Sequence, residues 1–368
     1  MNSGGSPNSE SINVLTMPDY RVDNPYQMLL EKALVKQGVT VKFPWGYRRV
    51  FPIFRMATDS KHFQHSFEVL HLHWISPYFK GDGWVKVIYA LKFLLDIWMT
   101  RLAGIGIVWT VHNRISHDSN ALNVELWARR ILVKLVDRVI LHNYSVVEAI
   151  AQDYQFNPAK AVVIPIGHYK AVYQPPIEPM AARRALGLPL TGLIYLNQGM
   201  LRPYKGVEQL LEVWHNTPEM QDNTLVIAGK PLDETYGTSI AQLASHSSNV
   251  RLYPHFIEDD QMHLFFSAAD IVVLPFTTIL TSSSLIVAMS YGKPVVAPKL
   301  GGIPETIGHA DQLLYNPEEL DGLQRALVKS THIDLKALSQ QVQQECDRLN
   351  WDDIGEKTKQ LYKTVIYL

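Results

Sequence analysis

Residues 277–305 read TTILTSSSLIVAMSYGKPVVAPKLGGIPE, a loop of small residues, a helix and a buried strand in succession. Thr281, Ser282, Ser283 and Ser284 precede an apolar run, LIVAMSYG, that has helical length and stops at Gly292. Pro294–Ala297 then has the β-branched density of a buried strand, and Gly301-Gly302 with Glu305 close the stretch. Hydroxyl residues at the start of an apolar helix are N-caps, and a helix N-terminus with unpaired N–H groups attracts phosphate. The same residues also fit an ordinary capped helix between two strands. Their surroundings decide between the two readings.

Upstream, strands and helices alternate. Leu193–Leu196 reads as a strand followed by the loop NQGMLRPYKG and a helix over Val207–Trp214. Further strands fall at Thr224–Ala228, Val250–Tyr253 and Asp270–Leu274, with a helix over Asp259–Ala268 before the last of them. The N-terminal half alternates in the same way, with strands expected at Ile12–Met17, Val39–Phe43, Val69–Trp74, Ile105–Val111, Arg138–His142 and Ala161–His168. This pattern specifies α/β domains with parallel sheets. The chain of 368 residues is long enough for two full cores. The Pro-rich stretch near Gln174–Pro179 marks the break. We therefore expect a disordered lead-in over 1–11, one Rossmann-like domain over 12–173, a linker over 174–190, a second Rossmann-like domain over 191–345, and a closing helical segment over 346–368. No G-x-G-x-x-G follows the first strand, so the dinucleotide fingerprint is absent.

A net charge of −1 gives no footprint for nucleic acid. One cysteine, Cys346, excludes an internal disulfide, argues against Cys-based metal sites, and fits a reducing compartment. MNSGGSPNSES has no apolar core and does not read as a signal peptide. The apolar run Trp84–Trp109 is broken by Lys86, Lys92, Asp96 and Arg101, which argues against a span. Its helix, expected over Gly83–Ala103, is either deeply buried or lies at a membrane surface with basic residues on its rim, a theme that Arg129, Arg130 and Lys134 continue.

In an open parallel sheet, ligands bind beyond the carboxyl ends of the strands. For the first half this singles out Asp19, Tyr20, Arg21, Asp23 and Asn24 after the first strand, and His112, Asn113, His117 and Asp118 after a later one. His71 and His73 share a strand face; with no Cys or carboxylate partner beside them, they fit a polar pocket better than a metal site. For the second half it singles out Gly199, Arg202 and Lys205, the pair Gly229-Lys230, the hydroxyls of Thr281–Ser284, and Glu305. Arg202 and Lys205 are spaced to face one anionic group, such as a leaving diphosphate, though a solvated surface pair would read the same.

These residues resemble the nucleotide-sugar domain of the GT-B glycosyltransferases of the "group 1" type. GMLRPYKGVEQLLEVW is similar to that family's donor loop, LVIAGK to its next strand and turn, and AADIVVLPF followed by AMSYGKPVVAPKLGGIPE to its nucleotide-binding core. NWDDIGEKTKQLYKTVI resembles its crossover helix. The resemblance covers Leu193 onward, while the first half matches in layout alone. It implies two Rossmann-like domains facing across a cleft, a nucleoside-diphosphate sugar donor, no cofactor and no obligatory metal.

One departure matters. Retaining members carry two glutamates eight residues apart; Ile279 and Val287 stand in those places here. TSSS before an apolar helix instead resembles the TSxS loop of a subgroup that includes bacterial exopolysaccharide transferases and the chitobiosyldiphosphodolichol β-mannosyltransferases. That resemblance implies an inverting transfer, GDP-mannose as first choice of donor and a UDP-sugar as second, a lipid-linked saccharide acceptor, and a cytoplasmic enzyme at the inner membrane face. An inverting transfer needs a base for the acceptor hydroxyl. Asp19 or Asp23 comes first and His112 next, with His73, Asn113 and His117 on the acceptor side; a turn-capping Asp or a core His is the plain alternative for each. Two other readings keep the fold: a sugar-nucleotide epimerase, and a subunit without chemistry.

Overall fold

The computed structural model describes residues 11–22, 24–44, 51–59, 66–114 and 122–366. The chain forms two compact units, residues 1–165 with 351–368, and residues 166–350.

The first unit is a six-stranded parallel sheet in the order β2-β1-β3-β4-β5-β6. Its strands are β1 (Asn13–Met17), β2 (Thr40–Lys42), β3 (Val69–Leu72), β4 (Gly106–Thr110), β5 (Arg138–Leu141) and β6 (Ala161–Val163). β3 and β4 are buried along their whole length, which is why they read as continuous apolar runs. Helix α1 (Pro25–Lys36) starts at Asn24, whose side chain accepts from the Tyr26 N–H, with Pro25 where no amide hydrogen is needed. Then come α2 (Pro52–Thr58), α3 (Gly83–Leu102), α4 (Leu122–Leu135) and α5 (Val147–Tyr154). The strand order reverses direction between β1 and β3, which pair in register from Val14↔Val69 to Met17↔Leu72.

α3 is not buried on all sides, as one reading of its composition had it; it is built inside out. Phe93, Leu94 and Ile97 face the core, but so do Lys86 and Asp96. The Asp96 carboxylate accepts from the Ile53 and Phe54 amides at 3.0 and 2.7 Å, capping α2. Lys86 is paired with Glu125 at 2.9 Å, and Glu125 also holds Arg129. Outward point Trp84 (83% exposed), Ile88, Leu91, Leu95, Trp98 and Leu102 (67% exposed), a stripe at three- and four-residue steps. The basic rim is smaller than expected: Lys86 and Arg129 are buried, and Arg130 donates to the Asp153 carbonyl. Among the described residues, no helix is long and apolar enough to cross a membrane.

The second unit begins with α6 (Pro179–Ala185), inside the segment expected as linker. Its sheet has the order β12-β11-β10-β7-β8-β9, from β7 (Ile194–Gln198), β8 (Thr224–Ala228), β9 (Val250–Tyr253), β10 (Ile271–Val273), β11 (Val295–Pro298) and β12 (Leu314–Tyr315). The helices are α7 (Val207–His215), α8 (Glu234–Ala244), α9 (Met262–Ala268), α10 (Ser283–Ser290), α11 (Ile303–Ile307), α12 (Gly322–Ser330) and α13 (Leu335–Asp347). This strand order is the doubly wound one, and its direction reverses between β7 and β10. The last helix, α14 (Trp351–Ile366), returns to the first unit. There Gly355 lets it lie against the Ala33 backbone of α1, and Lys36 pairs with Asp352 at 2.6 Å. The α/β fold expected from the alternation is the fold observed.

Candidate functional site

In the second unit, the point where the strand order reverses falls between Gly199, which follows β7, and the loop after β10 that enters α10. Ser282 caps α10, its Oγ accepting from the Leu285 amide at 3.1 Å, so this hydroxyl is committed to the helix. Ser284 Oγ instead lies 3.4 Å from Lys205 Nζ. A methyl group on Gly199 would sit 2.5 Å from Lys205 Nζ and 3.6 Å from Ser284 Oγ, so the missing side chain is what leaves room there. Gly229 backs this arrangement: a Cβ at Gly229 would overlap the Gly199 carbonyl oxygen. Burial and the neighbouring Arg202 hold the Lys205 ammonium down, at about 8. A buried cation in that state gains from an anion beside it.

The structure thus brings Gly199, Arg202, Lys205, Gly229 and Ser284 into one neighbourhood at the head of α10. Tyr169 is buried, and burial raises its hydroxyl to about 12 while the nearby Ser283 side chain works the other way, a neighbour that no motif announces. Thr281 is half-buried; Lys230 and Glu305 are exposed, Glu305 in the first turn of α11. The Gly301-Gly302 turn is held by the preceding loop, with the Gly302 amide donating to the Leu280 carbonyl at 2.9 Å. Val287 is buried in α10.

The first unit's carboxyl edge is of another kind. Asp19 is gripped by Arg21, Nε to Oδ1 at 3.0 Å and Nη2 to Oδ2 at 2.9 Å, and Arg21 reaches on to Glu31. The guanidinium holds the Asp19 carboxyl below its ordinary value, which makes it a weaker proton acceptor as it stands. Asp23 and His117 lie outside the described residues. His112 is buried with both ring nitrogens engaged, Nε2 with His73 Nδ1 at 3.1 Å and Nδ1 with His142 Nε2 at 3.3 Å. His71, on the same strand face as His73, is buried too, hydrogen-bonded to Tyr362 and Thr110 at 2.7 Å each. Burial holds His71 down at about 3 and His142 at about 4, and it holds His73 and His112 well below the ordinary histidine value. All four are neutral near pH 7. Among the described residues, no group of three or more His, Cys, Asp or Glu is arranged to hold a metal ion.

Sequence reasoning passed over Trp74, Tyr26 and His142. The Trp74 ring stacks on His112, centroids 4.0 Å apart, and meets Tyr20 edge-on at 5.4 Å. Tyr26 of α1 sets its edge against His112 at 4.9 Å. His142 directly follows β5 as His73 directly follows β3, and that repeated position was the available signal. Asn113 is half-buried beside them.

With this geometry in hand, comparison with known proteins is informative. The family model described as glycosyl transferases group 1 matches residues 180–343. GDP-mannose:glycolipid 4-beta-D-mannosyltransferase from Xanthomonas campestris pv. campestris is 25% identical over 297 residues, 79% of this chain and 78% of that protein. Two solved structures superpose along nearly the whole length. Sucrose-phosphate synthase from Thermosynechococcus elongatus gives a TM-score of 0.72 at 17% identity, covering 97% of this chain and 99% of that one. Anabaena HepE in complex with UDP and glucose gives 0.69 at 16% identity, covering 96% and 100%.

Proposed function

We propose that this chain is a group 1 glycosyltransferase that transfers mannose from GDP-mannose, with inversion, to a lipid-linked saccharide in the assembly of an exopolysaccharide. The observation that carries the proposal is the cradle of Gly199, Lys205 and Ser284 at the head of α10, at the point where the second sheet reverses. The choice of mannose draws support from the relative named as a GDP-mannose:glycolipid mannosyltransferase, which matches both halves of the chain.

The acceptor hydroxyl attacks the anomeric carbon as the bond to the diphosphate breaks on the opposite face. Negative charge grows on the departing oxygen. Lys205 Nζ, with Arg202 beside it and the free amides of α10, meets that charge in a water-poor setting where each contact is strong. Two fixed cations and a helix N-terminus thereby take the part a divalent metal plays elsewhere. Ile279 and Val287 stand where a retaining enzyme has carboxylates, which fits displacement in one step with a base from the first unit. Asp19 and Asp23 remain the candidates for that base, Asp19 on release from Arg21.

A lipid-linked acceptor places the enzyme on the inner face of the cytoplasmic membrane. The outward apolar stripe of α3 suits that position: Trp84 and Trp98 lie along it, and Lys92 and Arg101 flank it.

The test is thermal stability with GDP, UDP and ADP separately, since a ligand that binds only the folded state raises the melting temperature. GDP alone should stabilise the wild type, and Lys205→Ala should abolish the shift. Stabilisation by UDP alone would replace the donor, and no shift with any nucleotide would overturn the cradle.

A further inference from the structure

At the carboxyl edge of the first sheet, the hydrogens on a row of imidazoles can be placed by elimination. His142 Nδ1 lies 2.9 Å from the Ile164 carbonyl oxygen, which can only accept, so this nitrogen carries the hydrogen. In a neutral ring that leaves Nε2 as the acceptor, and His112 Nδ1, 3.3 Å away, must donate to it. His112 Nε2 in turn accepts from His73 Nδ1 at 3.1 Å. The row ends on the lone pair of His73 Nε2, which is buried and has no hydrogen-bond partner among the described residues.

A cavity of about 10 Å³ opens there, lined among others by His73, Thr110, Asn113 and Arg129. Arg129 Nε is the second buried atom of this lining without a partner among the described residues, while its Nη1 donates to Glu125 at 2.9 Å. Buried polar groups are nearly always satisfied, and a space of this size takes one water when it offers polar partners. One orphan donor and one orphan acceptor border the same water-sized space.

We propose that this cavity binds a single water molecule, which accepts from Arg129 Nε–H and donates to His73 Nε2. Every hydrogen in the ladder Arg129–water–His73–His112–His142–Ile164 then points the same way, toward the carbonyl. The ladder ties α4 to the ends of β3, β4 and β5. Tyr26 of α1 faces His73, His112 and His142 edge-on, and His71, itself bonded to Tyr362 of α14, stacks on His73 at 4.1 Å. A carbonyl cannot take up a proton, so the ladder conducts none. Its effect is to fix the His112 ring, and with it Trp74, stacked 4.0 Å away. On the transferase reading, from which the ladder itself is independent, His112 is a positioning residue rather than the base, because neither of its nitrogens has a spare lone pair.

Two measurements on the full chain test this without reference to turnover. Long-range ¹H–¹⁵N correlation spectra of the imidazoles, assigned with His73→Gln, His112→Gln and His142→Gln, should show all three rings as Nδ1–H tautomers. They should stay so from about pH 8 to about pH 5, while exposed histidines charge near their ordinary value. An Nε2–H tautomer on any of the three, or charging near pH 6.5, would overturn the ladder. A crystal structure of the wild type that resolves ordered water should show one within hydrogen-bond reach of both Arg129 Nε and His73 Nε2; an empty cavity there would overturn the water site even if the glutamine variants fail to fold.

Discussion

The two sheets present their carboxyl edges in opposite materials. In the second unit the edge is sparse: glycines that clear space, one buried lysine held near neutrality, and a capped helix end. In the first it is crowded, with neutral histidines, Tyr26 and Trp74 filling the ends of β3, β4 and β5. A diphosphate, the same ligand in every donor, is suited by backbone and charge. An acceptor saccharide is particular, and shaped aromatic surface suits it. On the proposed reading, the contrast teaches that one edge would serve a common chemistry and the other an individual one.

The sharpest way to break that contrast is to remove the base. Asp19→Asn and Asp23→Asn should separate, one lowering turnover by roughly 10²- to 10⁴-fold while leaving the GDP-dependent melting shift intact. If both retain turnover, the base does not come from the loop after β1. Next in size, Lys205→Ala should cost about 10²- to 10³-fold in kcat/KM and abolish the nucleotide shift, since it deletes a donor aimed at developing charge. Lys205 also gives a pH signature. Its ammonium is held at about 8, so it is charged below that pH and neutral above it. Nucleotide affinity should therefore hold from pH 6 to 7.5 and weaken as pH rises through about 8, read by titration calorimetry; a flat profile would remove Lys205 from the site.

How far these edges could be read in the sequence follows the same division. The second edge was legible because its devices are local: TSSS before LIVAMS, K-G before a helix, and a glycine at a strand end each announce their geometry within a few residues. The first edge was not, because its order is made between strands. His73, His112 and His142 come from three strands and acquire meaning only when β3, β4 and β5 lie side by side. Arg129 looked like part of a basic surface, and a partner four residues earlier, Glu125, drew it inside. α3 misled for a related reason: Lys86 read as part of a basic rim and Asp96 as a break in the apolar run, yet their partners are groups on α4 and α2. Charged residues follow their partners, and partners distant in the chain leave no periodic trace.

The neutral histidines make the first unit the one that acid attacks. Their folded pKa values are depressed below the ordinary histidine value. The stability they contribute is therefore complete above about pH 6.5 and is lost as pH falls from there toward 3 to 4. At about pH 5.5 each such histidine costs roughly 1.4 kcal/mol, a tenfold loss in the folding equilibrium. Hydrogen exchange should show β3, β4 and β5 opening at a higher pH than β7, β8 and β10. Simultaneous opening would mean that the two units unfold together, and the contrast between their edges would have no thermodynamic counterpart.

The smallest effect expected concerns α3, and it bears on why the first unit differs at all. On the proposed reading, an acceptor held by a lipid would bring this unit to the membrane. α3 has Lys86 and Asp96 inside, one paired with Glu125 and the other capping α2, and its Trp84, Leu91 and Trp98 outside. Burying one such side chain in a bilayer interface is worth roughly 1.5–3 kcal/mol when complete. Trp84→Glu or Leu91→Glu should thus weaken binding to anionic vesicles by about tenfold or more, while GDP still raises the melting temperature. Unchanged hydrogen-exchange protection of β3, β4 and β5 shows that the first unit of the variant is folded, so weaker binding can be assigned to the stripe. Equal binding by both variants and the wild type would detach α3 from the membrane and leave its apolar face to another partner.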